Sequence, residues 1–457
     1  MKKYIDLFLD AMRGEEQNYT QMSINRAIFL LSIPMIFEMI GEALFAIVDA
    51  FFVSKISIEA IATVGLTESV LTLIYSVAIG LSAAATAIVS RRVGEGNRQE
   101  AGHAVAQVVL ISLVLAALVG IPGAIFAEDI LRIMGGEEHL IRQGVGFTRL
   151  MFMSSPAIIL LYTLSGALRG AGDASRAMRS IILANIINMS LDAILILALH
   201  FGVEGAAIAT TIGRSIGVIY QIYGLQKGNG NIQIKLSLFK PDFAILKNLL
   251  SIGAGGTGQF LIQSASWIFL TRIISSFGSD AVAGYTIAIR IIVFTILPAW
   301  GMANAAATLV GQNLGAGQPE RAETSVWRTA FYNMIFLVMI GLLFFGFAEN
   351  FIGVFNNNPK VVEVGVLCLQ VMSLGYIFFG YGMVIGQSLN GAGDTRTPTL
   401  MNFVCFWLIE IPLAYLLAQY LKMGPLGVFI SIAVSESILA VLGIYFFKKG
   451  RWKTMKV

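Results

Sequence analysis

The sequence predicts an all-α membrane protein, with twelve transmembrane helices in two six-helix lobes related by a pseudo-two-fold axis along the membrane normal. Three observations carry this reading: a charge-poor composition, twelve apolar runs of membrane length, and motifs that recur at one fixed spacing. Of 457 residues, 56% are apolar and 13% charged, and mean hydropathy is +0.78. A soluble domain carries about 25% charged residues, so this chain has too little charge to cover a water-facing surface. A soluble enzyme and a disordered chain are excluded on that ground. A net charge of only +4, with the basic residues scattered, excludes a nucleic-acid binder. Cys368 and Cys405 both lie in apolar runs and supply neither a disulfide framework nor a metal site.

A membrane helix needs about 20 mostly apolar residues. Residues 1–26 fall short of this and read as an amphipathic cytoplasmic tail at the membrane surface. Asp6 and Asp10 interrupt the apolar stretch that a signal peptide would need after Lys2 and Lys3. The first six runs lie at approximately 27–53, 61–89, 103–126, 147–168, 177–200 and 203–224. They form the N-lobe, 27–224. A cytoplasmic linker follows at 225–248, marked by the 228–231 Gly/Asn cluster and by Pro241. The remaining runs, approximately 249–274, 282–310, 327–348, 361–385, 400–421 and 425–447, form the C-lobe, 249–447. Residues 448–457 are a second cytoplasmic tail. Every run is too long and continuous for an outer-membrane strand, which alternates over about ten residues. Pro34, Pro122, Pro156, Pro298 and Pro412 fall inside runs, where membrane helices tolerate proline and often kink at it.

Lysine and arginine set the orientation. With both termini in the cytoplasm, 22 of the 31 basic residues fall in inside segments and 5 in outside ones. The inside set includes Arg91, Arg92, Arg169 and Arg176, whose neighbouring glycine-rich turns place them near anionic headgroups. The predicted location is a bacterial inner or cytoplasmic membrane.

The duplication is visible in two motif pairs. Ala87-Ile-Val-Ser-Arg-Arg-Val-Gly-Glu-Gly96 is similar to Thr308-Leu-Val-Gly-Gln-Asn-Leu-Gly-Ala-Gly317, and Leu168-Arg-Gly-Ala-Gly-Asp173 to Leu389-Asn-Gly-Ala-Gly-Asp394. Both pairs are 221 residues apart; a third, Gly202 to Gly205 and Gly424 to Gly427, is 222 apart. Six spans return the chain to its starting side, so the halves are parallel repeats with a cleft between them.

These motifs, with Val48-Asp49-Ala-Phe-Phe-Val53 and Asn185-Ile-Ile-Asn-Met-Ser-Leu-Asp192, resemble the multidrug and toxic compound extrusion (MATE) family over nearly the whole chain. The resemblance implies a secondary exporter that couples entry of H⁺ or Na⁺ to efflux of amphipathic, often cationic compounds by alternating access. It implies no cofactor beyond the coupling ion. It also implies that Asp49 and Asp192 are the acids of an N-lobe cation site, with Asn188 and Thr210 as polar partners. Related folds flip lipid-linked sugars, so a flippase for a lipid-linked oligosaccharide or cell-wall precursor is the alternative.

An ionisable group in mid-span costs about 2.5–3.5 kcal/mol or more, so each needs an account. At about 100° per residue, Glu38, Glu42 and Asp49 share one face of the first span, and Asn185, Asn188 and Asp192 one face of the fifth. Asp49 lies near a helix end, where a merely water-exposed carboxylate is the competing reading. For Glu38 and Glu42 it is a wet cleft lining with no part in coupling. At the 221 offset, Gln259 and Gln263 replace Glu38 and Glu42, and Leu270 replaces Asp49. The C-half thus keeps polarity and loses charge, which places coupling in the N-lobe. Glu410 reads as the one mid-membrane acid of the C-half, there to meet a cationic substrate or to pair with Arg272 or Arg290. Met35, Met39, Met302 and Met383 lie near the predicted cleft, where methionine suits varied substrates, although core filling explains any one of them as well.

Two enzyme-like patterns carry no chemistry. Gly213-Arg-Ser-Ile-Gly217 and Gly253-Ala-Gly-Gly-Thr-Gly258 lie in apolar helices without the strand and turn their motifs require. The pairs Gly213/Gly217 and Gly382/Gly386 fit helix packing instead. An intramembrane enzyme would need a nucleophile or metal cluster that the sequence does not offer. The two-lobe duplication disfavours a passive channel. The expected partners are small amphipathic or cationic substrates and membrane lipids, and one lobe pair suffices as a monomer.

Overall fold

The computed structural model describes residues 2–14, 18–227 and 232–457, so the Gly/Asn cluster of the linker lies outside the described residues. An amphipathic helix, α1 (Lys2–Arg13), precedes the N-lobe. The lobe comprises α2 (Ile24–Ser54), α3 (Ile58–Gly94), α4 (Arg98–Ile125), a short α5 (Ala127–Ile133), the bent pair α6 (Glu138–Met153) and α7 (Ser155–Ala171), α8 (Ala174–Asp192) and α9 (Gly202–Lys227). A π-helical stretch, Ala193–Ala198, continues α8. The C-lobe comprises α10 (Phe243–Ser275), α11 (Ser279–Gly315), α12 (Pro319–Gly353), the bent pair α13 (Pro359–Leu374) and α14 (Tyr376–Gly391), a composite span and α17 (Pro425–Lys448). The composite span joins α15 (Arg396–Asn402), a π-helical stretch Phe403–Glu410, α16 (Ile411–Tyr415) and a second π-helical stretch Leu416–Tyr420.

Among the described residues, eight helical units are long and apolar enough to cross a membrane alone, and the two bent pairs make ten. The more polar α9 and α10, diluted by residues such as Glu204, Arg214, Gln259 and Gln263, complete the twelve. Several helices overrun the apolar runs: α3 and α11 continue to Gly94 and Gly315, and α10 begins six residues before the expected 249. A helix persists past the hydrocarbon until a residue stops it.

The repeated Leu-x-Gly-Ala-Gly-Asp motif shows how that stop is built. Gly172 and Gly393 sit at φ +88° and +90°, a left-handed conformation that glycine adopts without a Cβ clash. The next residue then caps the following helix. Asp173 Oδ1 accepts from the Arg176 amide at 3.1 Å, and Asp394 Oδ1 from the Thr397 amide at 3.1 Å. Losing such a cap costs about 1 kcal/mol. Asp394→Ala is therefore expected to lower stability by about that amount, read as a small fall in melting temperature in detergent.

The bends are also duplicated. The α6/α7 break at Ser154 and the α13/α14 break at Gly375 are 221 residues apart, with bends of 41° and 61°. Only the first has a proline, Pro156 at the start of α7, so proline is not what bends these spans. Pro34 and Pro298 lie inside the continuous helices α2 and α11.

With no water to expel between helices in lipid, packing rests on small residues and interhelical hydrogen bonds. Ser82 Oγ and Thr86 Oγ1 of α3 donate to the Tyr162 and Gly166 carbonyls of α7. Gln221 of α9 donates to Ser165 of α7 and Ser180 of α8. Gly213 and Gly217 lie against α8, as expected for small-residue packing. Gly382 faces Ala440, but nothing lies within 4 Å of a Cβ at Gly386, so that half of the second pair does not pack as expected.

Both tails lie on one face, with the 95–97, 172–173, 316–318 and 393–395 turns. The glycine-flanking arginines do not reach outward there. Arg91 and Arg92 donate to the Met455 and Val457 carbonyls of the C-terminal tail, each at 3.1 Å. Arg169 belongs to α7 and is buried, and Arg176 pairs with Asp173 at 3.1 Å. The described linker lies on the N-lobe, where Gln107 of α4 bonds the Leu238 and Lys240 carbonyls and the Asp242 amide.

The lobes meet through α3 with α10 and α2 with α11, in the half nearest the tails. A Cβ on Gly256 would sit 2.9 Å from Gly80 Cα, Thr308 Oγ1 donates to the Arg169 carbonyl at 3.2 Å, and Gln312 donates to the Gly170 carbonyl at 2.9 Å. Gly80→Leu would overlap the Gly253 carbonyl and Thr257. Overpacking of this kind costs about 1–3 kcal/mol. Spin-label distances between the 95–97 and 316–318 turns should therefore show a large fraction of separated lobes in that variant.

Candidate functional site

The three acids of α2, Glu38, Glu42 and Asp49, all face other N-lobe helices, but they are not equivalent. Glu38 is 1% exposed and ion-paired with Arg169 of α7, which also donates to Ser82 Oγ at 2.8 Å. Glu42 accepts from the Tyr162 hydroxyl at 2.8 Å and lies 3.5 Å from Arg214 of α9. Arg214 is buried and stands over the Phe45 and Tyr162 rings at 5.0 and 5.5 Å. Each of these acids thus has its own arginine, which offsets part of its burial cost, while Glu38 Oε2 and Glu42 Oε1 stay buried with no hydrogen-bond partner among the described residues. Neither is an open carboxylate lining a wet cleft.

Asp49 is half-buried, one to two turns further along α2, close enough to Arg214, Glu68 and Asp192 for their charges to interact. Asp192 ends α8 where the backbone widens into the π-helical stretch. It is fully buried, and neither carboxylate oxygen has a hydrogen-bond partner among the described residues. Asn188, one turn earlier, donates to Thr210 Oγ1 of α9 at 3.0 Å, which leaves its own Oδ1 unpaired and buried. Asn185 turns toward α2, its amide 3.7 Å from where a Cβ on Gly41 would sit, with that amide nitrogen unpaired. A buried polar atom left unpaired costs about 1–3 kcal/mol, more if charged. Unpaired oxygens on Asp192 and Asn188, beside a second carboxylate, are what a small cation would satisfy.

The C-lobe candidates are placed differently. Gln259 exchanges hydrogen bonds with Asn390 at 3.0 and 3.1 Å and donates to the Thr395 carbonyl, so it braces the α14/α15 turn. Gln263 and Met39 are half-buried. Met35 is completely buried beside Gly301 where α2 meets α11, and Met302 is 9% exposed, so neither lines an open surface. Met383 packs against the C-lobe core. Glu410 is buried, but it pairs with neither Arg272 nor Arg290, both of which are exposed. Nor is it the lone mid-membrane acid of its half, because Glu436 of α17 lies near enough to interact with it.

Sequence reasoning missed Arg169, Arg214, Tyr162, Glu68 and Glu436 as site residues. Glu436 interrupts an apolar run as plainly as Glu410 does, and the same mid-span rule finds it. Arg169 was hidden by a span boundary set at 168.

A family model, MatE, matches residues 34–194 and 257–416, one match in each lobe. The chain belongs to the MatE family. Its likeness to other MatE-type transporters is spread over the full length. It is 26% identical to a probable multidrug resistance protein NorM of Thermotoga maritima, over 95% of this chain and 94% of that one. It is 24% identical to a probable multidrug resistance protein YoeA of Bacillus subtilis, over 96% and 97%. Among solved structures, an outward-facing conformation of a multidrug resistance MATE family transporter superposes with TM-score 0.90 at 26% identity, covering 96% of this chain and all of that one.

Proposed function

We propose that this MatE-family protein is a secondary active efflux transporter. It exchanges H⁺ or Na⁺ for amphipathic, cationic compounds across a bacterial inner membrane, with both termini in the cytoplasm. It works as a monomer and needs no cofactor beyond the coupling ion. One observation carries the reading: the fully buried Asp192 carboxylate, both oxygens unpaired, beside the free Asn188 Oδ1 and within interaction range of Asp49. Such a group binds a proton or a small cation strongly when the lobe is closed around it and releases it when the lobe opens.

In this orientation the lobes are sealed toward the cytoplasm through α3/α10 and α2/α11, the arrangement expected of a state that takes up its coupling ion from outside. Coupling follows from where the charges sit. A cation arriving from outside neutralises Asp192, which removes a reason for α8 and α2 to hold their present spacing. The Glu38–Arg169 pair lies where this movement meets the lobe contact, because the Arg169 carbonyl accepts from Thr308 of α11. A lobe movement that begins at the cation site therefore reaches the seam between the lobes.

The test is an imposed gradient in proteoliposomes holding the purified protein and ethidium. An inward gradient of H⁺ or of Na⁺, applied separately, should drive ethidium against its own gradient. Substrate movement that ignores both gradients overturns the reading.

A further inference from the structure

Residues 450–457 cross the seam between the lobes. Gly450, at φ +72°, turns the chain from the end of α17 into a 3₁₀ turn, Arg451–Thr454. That turn is fastened to the C-lobe. Trp452 is 1% exposed and stacks on Phe447 of α17, with 4.6 Å between ring centres. Its indole N–H donates to the Phe447 carbonyl at 2.8 Å, and the ring joins an apolar cluster with Ala322, Val326 and Ala330 of α12. Lys453 forms ion pairs with Glu323 and Glu320 of α12 at 2.6 and 3.1 Å.

The next three residues are held by the N-lobe instead. Arg91 of α3 donates to the Met455 carbonyl and Arg92 to the Val457 carbonyl, each at 3.1 Å. The Val457 side chain packs against the apolar cluster that runs from the N-lobe core to Leu249 and Ile252 of α10. A Cβ on Gly393 would lie 2.8 Å from Val457 Cγ1, so this side chain also fills the space beside the α14/α15 turn. The segment has little slack. Met455 is already extended, at φ −66° and ψ 136°, and three residues reach at most about 11 Å. When the lobes part on this side, the bonds to Arg91 and Arg92 must break, because the segment cannot stretch to follow.

The internal repeat sets these arginines apart. At the 221 offset their mates are Gln312 and Asn313 of α11. Gln312 donates to the Gly170 carbonyl of the N-lobe Gly-Ala-Gly-Asp motif at 2.9 Å, and Arg91 reaches the Ala392 carbonyl of the C-lobe copy at 3.5 Å. Each lobe thus holds the other's motif through a repeat-related side chain. Arg91 goes further and takes the Met455 carbonyl as well. Asn313 spends its amide on the Leu309 carbonyl of its own helix at 2.8 Å, whereas Arg92 reaches Val457. The two arginines extend a symmetric seam to a segment anchored on the opposite lobe.

We propose that residues 450–457 are a strap that holds the lobes together on the side of the tails and leaves Arg91 and Arg92 each time the lobes part there. The strap biases the protein toward the described state. Its consequence for transport rests on the exchange reading above; its effect on the lobe populations does not.

The test reads lobe separation in the full-length protein, as spin-label distances between the 95–97 and 316–318 turns with no ion gradient applied. One charge-assisted hydrogen bond shifts an equilibrium about ten- to a hundredfold. Arg91→Gln/Arg92→Asn, which installs the repeat mates, should raise the ratio of separated to closed lobes by about tenfold or more. Lys453→Glu sets like charges beside Glu320 and Glu323 and leaves both arginines in place; it should shift the ratio in the same direction. The two changes combined should shift it no further than the larger one alone, because a strap released at one end no longer holds at the other. A shift in R91Q/R92N without one in K453E assigns the effect to the Arg91–Ala392 contact and overturns the strap, and full additivity overturns it too. If R91Q/R92N fails to fold, Arg92→Asn alone keeps Arg91 on Ala392 and is read against K453E in the same way. In proteoliposomes, a short reducible cross-linker between Arg92→Cys and Val457→Cys should stop ethidium transport, and a reductant should restore it; Cys368 and Cys405 are buried away from the reagent. Transport that continues through the cross-link overturns the strap. A protein that moves no ethidium before cross-linking fails the exchange reading instead, and the distance measurements then decide the strap by themselves.

Discussion

Asp192→Asn should abolish ion-driven ethidium transport while leaving the protein folded. An amide cannot take up and release a proton. As a ligand for a cation it also lacks the formal charge, which is worth about 1.5–3 kcal/mol per hydrogen bond or ion contact, or roughly ten- to a hundredfold in affinity. The usual penalty for altering a buried charge is absent here, because among the described residues Asp192 has no arginine to strand and both its oxygens are unpaired. Removing an uncompensated buried charge should therefore hold or raise the melting temperature. Loss of transport with unchanged thermal stability is the signature of a coupling residue, whereas loss of both would make Asp192 a structural residue. Asp49→Asn should be milder in binding assays, since Asp49 is half-buried and already has Arg214 within reach. Full ion-driven transport in Asp192→Asn would remove the N-lobe site from the mechanism.

The contrast between these acids also shows what the sequence could and could not disclose. Periodicity placed Glu38, Glu42 and Asp49 on one face of α2, because a helix repeats every 3.6 residues whatever surrounds it. Hydropathy and the 221-residue repeat yielded twelve spans and two lobes for the same reason: both are local or self-referential signals. The partners of the acids were not local. Arg169 and Arg214 lie more than 120 residues from Glu38 and Glu42, and only the tertiary arrangement of the lobe, in which α8 packs against α2, α7 and α9, brings them close. Their meeting turned two candidate cleft acids into closed ion pairs and left Asp192 as the buried acid with nothing to hold. The fate of the glycine-turn arginines follows the same logic. A positive charge beside a cytoplasmic turn suits a headgroup, but the C-terminal tail carbonyls reached Arg91 and Arg92 instead. Tail docking depends on tertiary geometry that no window of sequence contains.

Glu38→Ala should be the most destabilising single change in the N-lobe. It leaves the Arg169 guanidinium, whose side chain is 9% exposed, with the Ser82 hydroxyl as its remaining side-chain partner. Stranding one member of a buried ion pair costs about 3–5 kcal/mol. The loss should appear as a marked fall in melting temperature and in the yield of folded protein from the membrane. The double variant Glu38→Met/Arg169→Met tests whether the pair is needed for more than folding. Replacing both partners with apolar side chains of similar length removes the stranded charge, so stability should recover to near the wild-type value. If the pair serves stability alone, the recovered protein transports ethidium normally. The geometry favours the other outcome, because Arg169 joins two contacts: its side chain holds α2 through Glu38, and its carbonyl holds α11 through Thr308 at 3.2 Å. Displacement of α2 thereby reaches α11 both by their direct packing and through Arg169. A stable double variant with slowed transport would place the pair in the conformational cycle, and its ion binding at Asp192 should stay intact, since neither substituted side chain contacts that carboxylate.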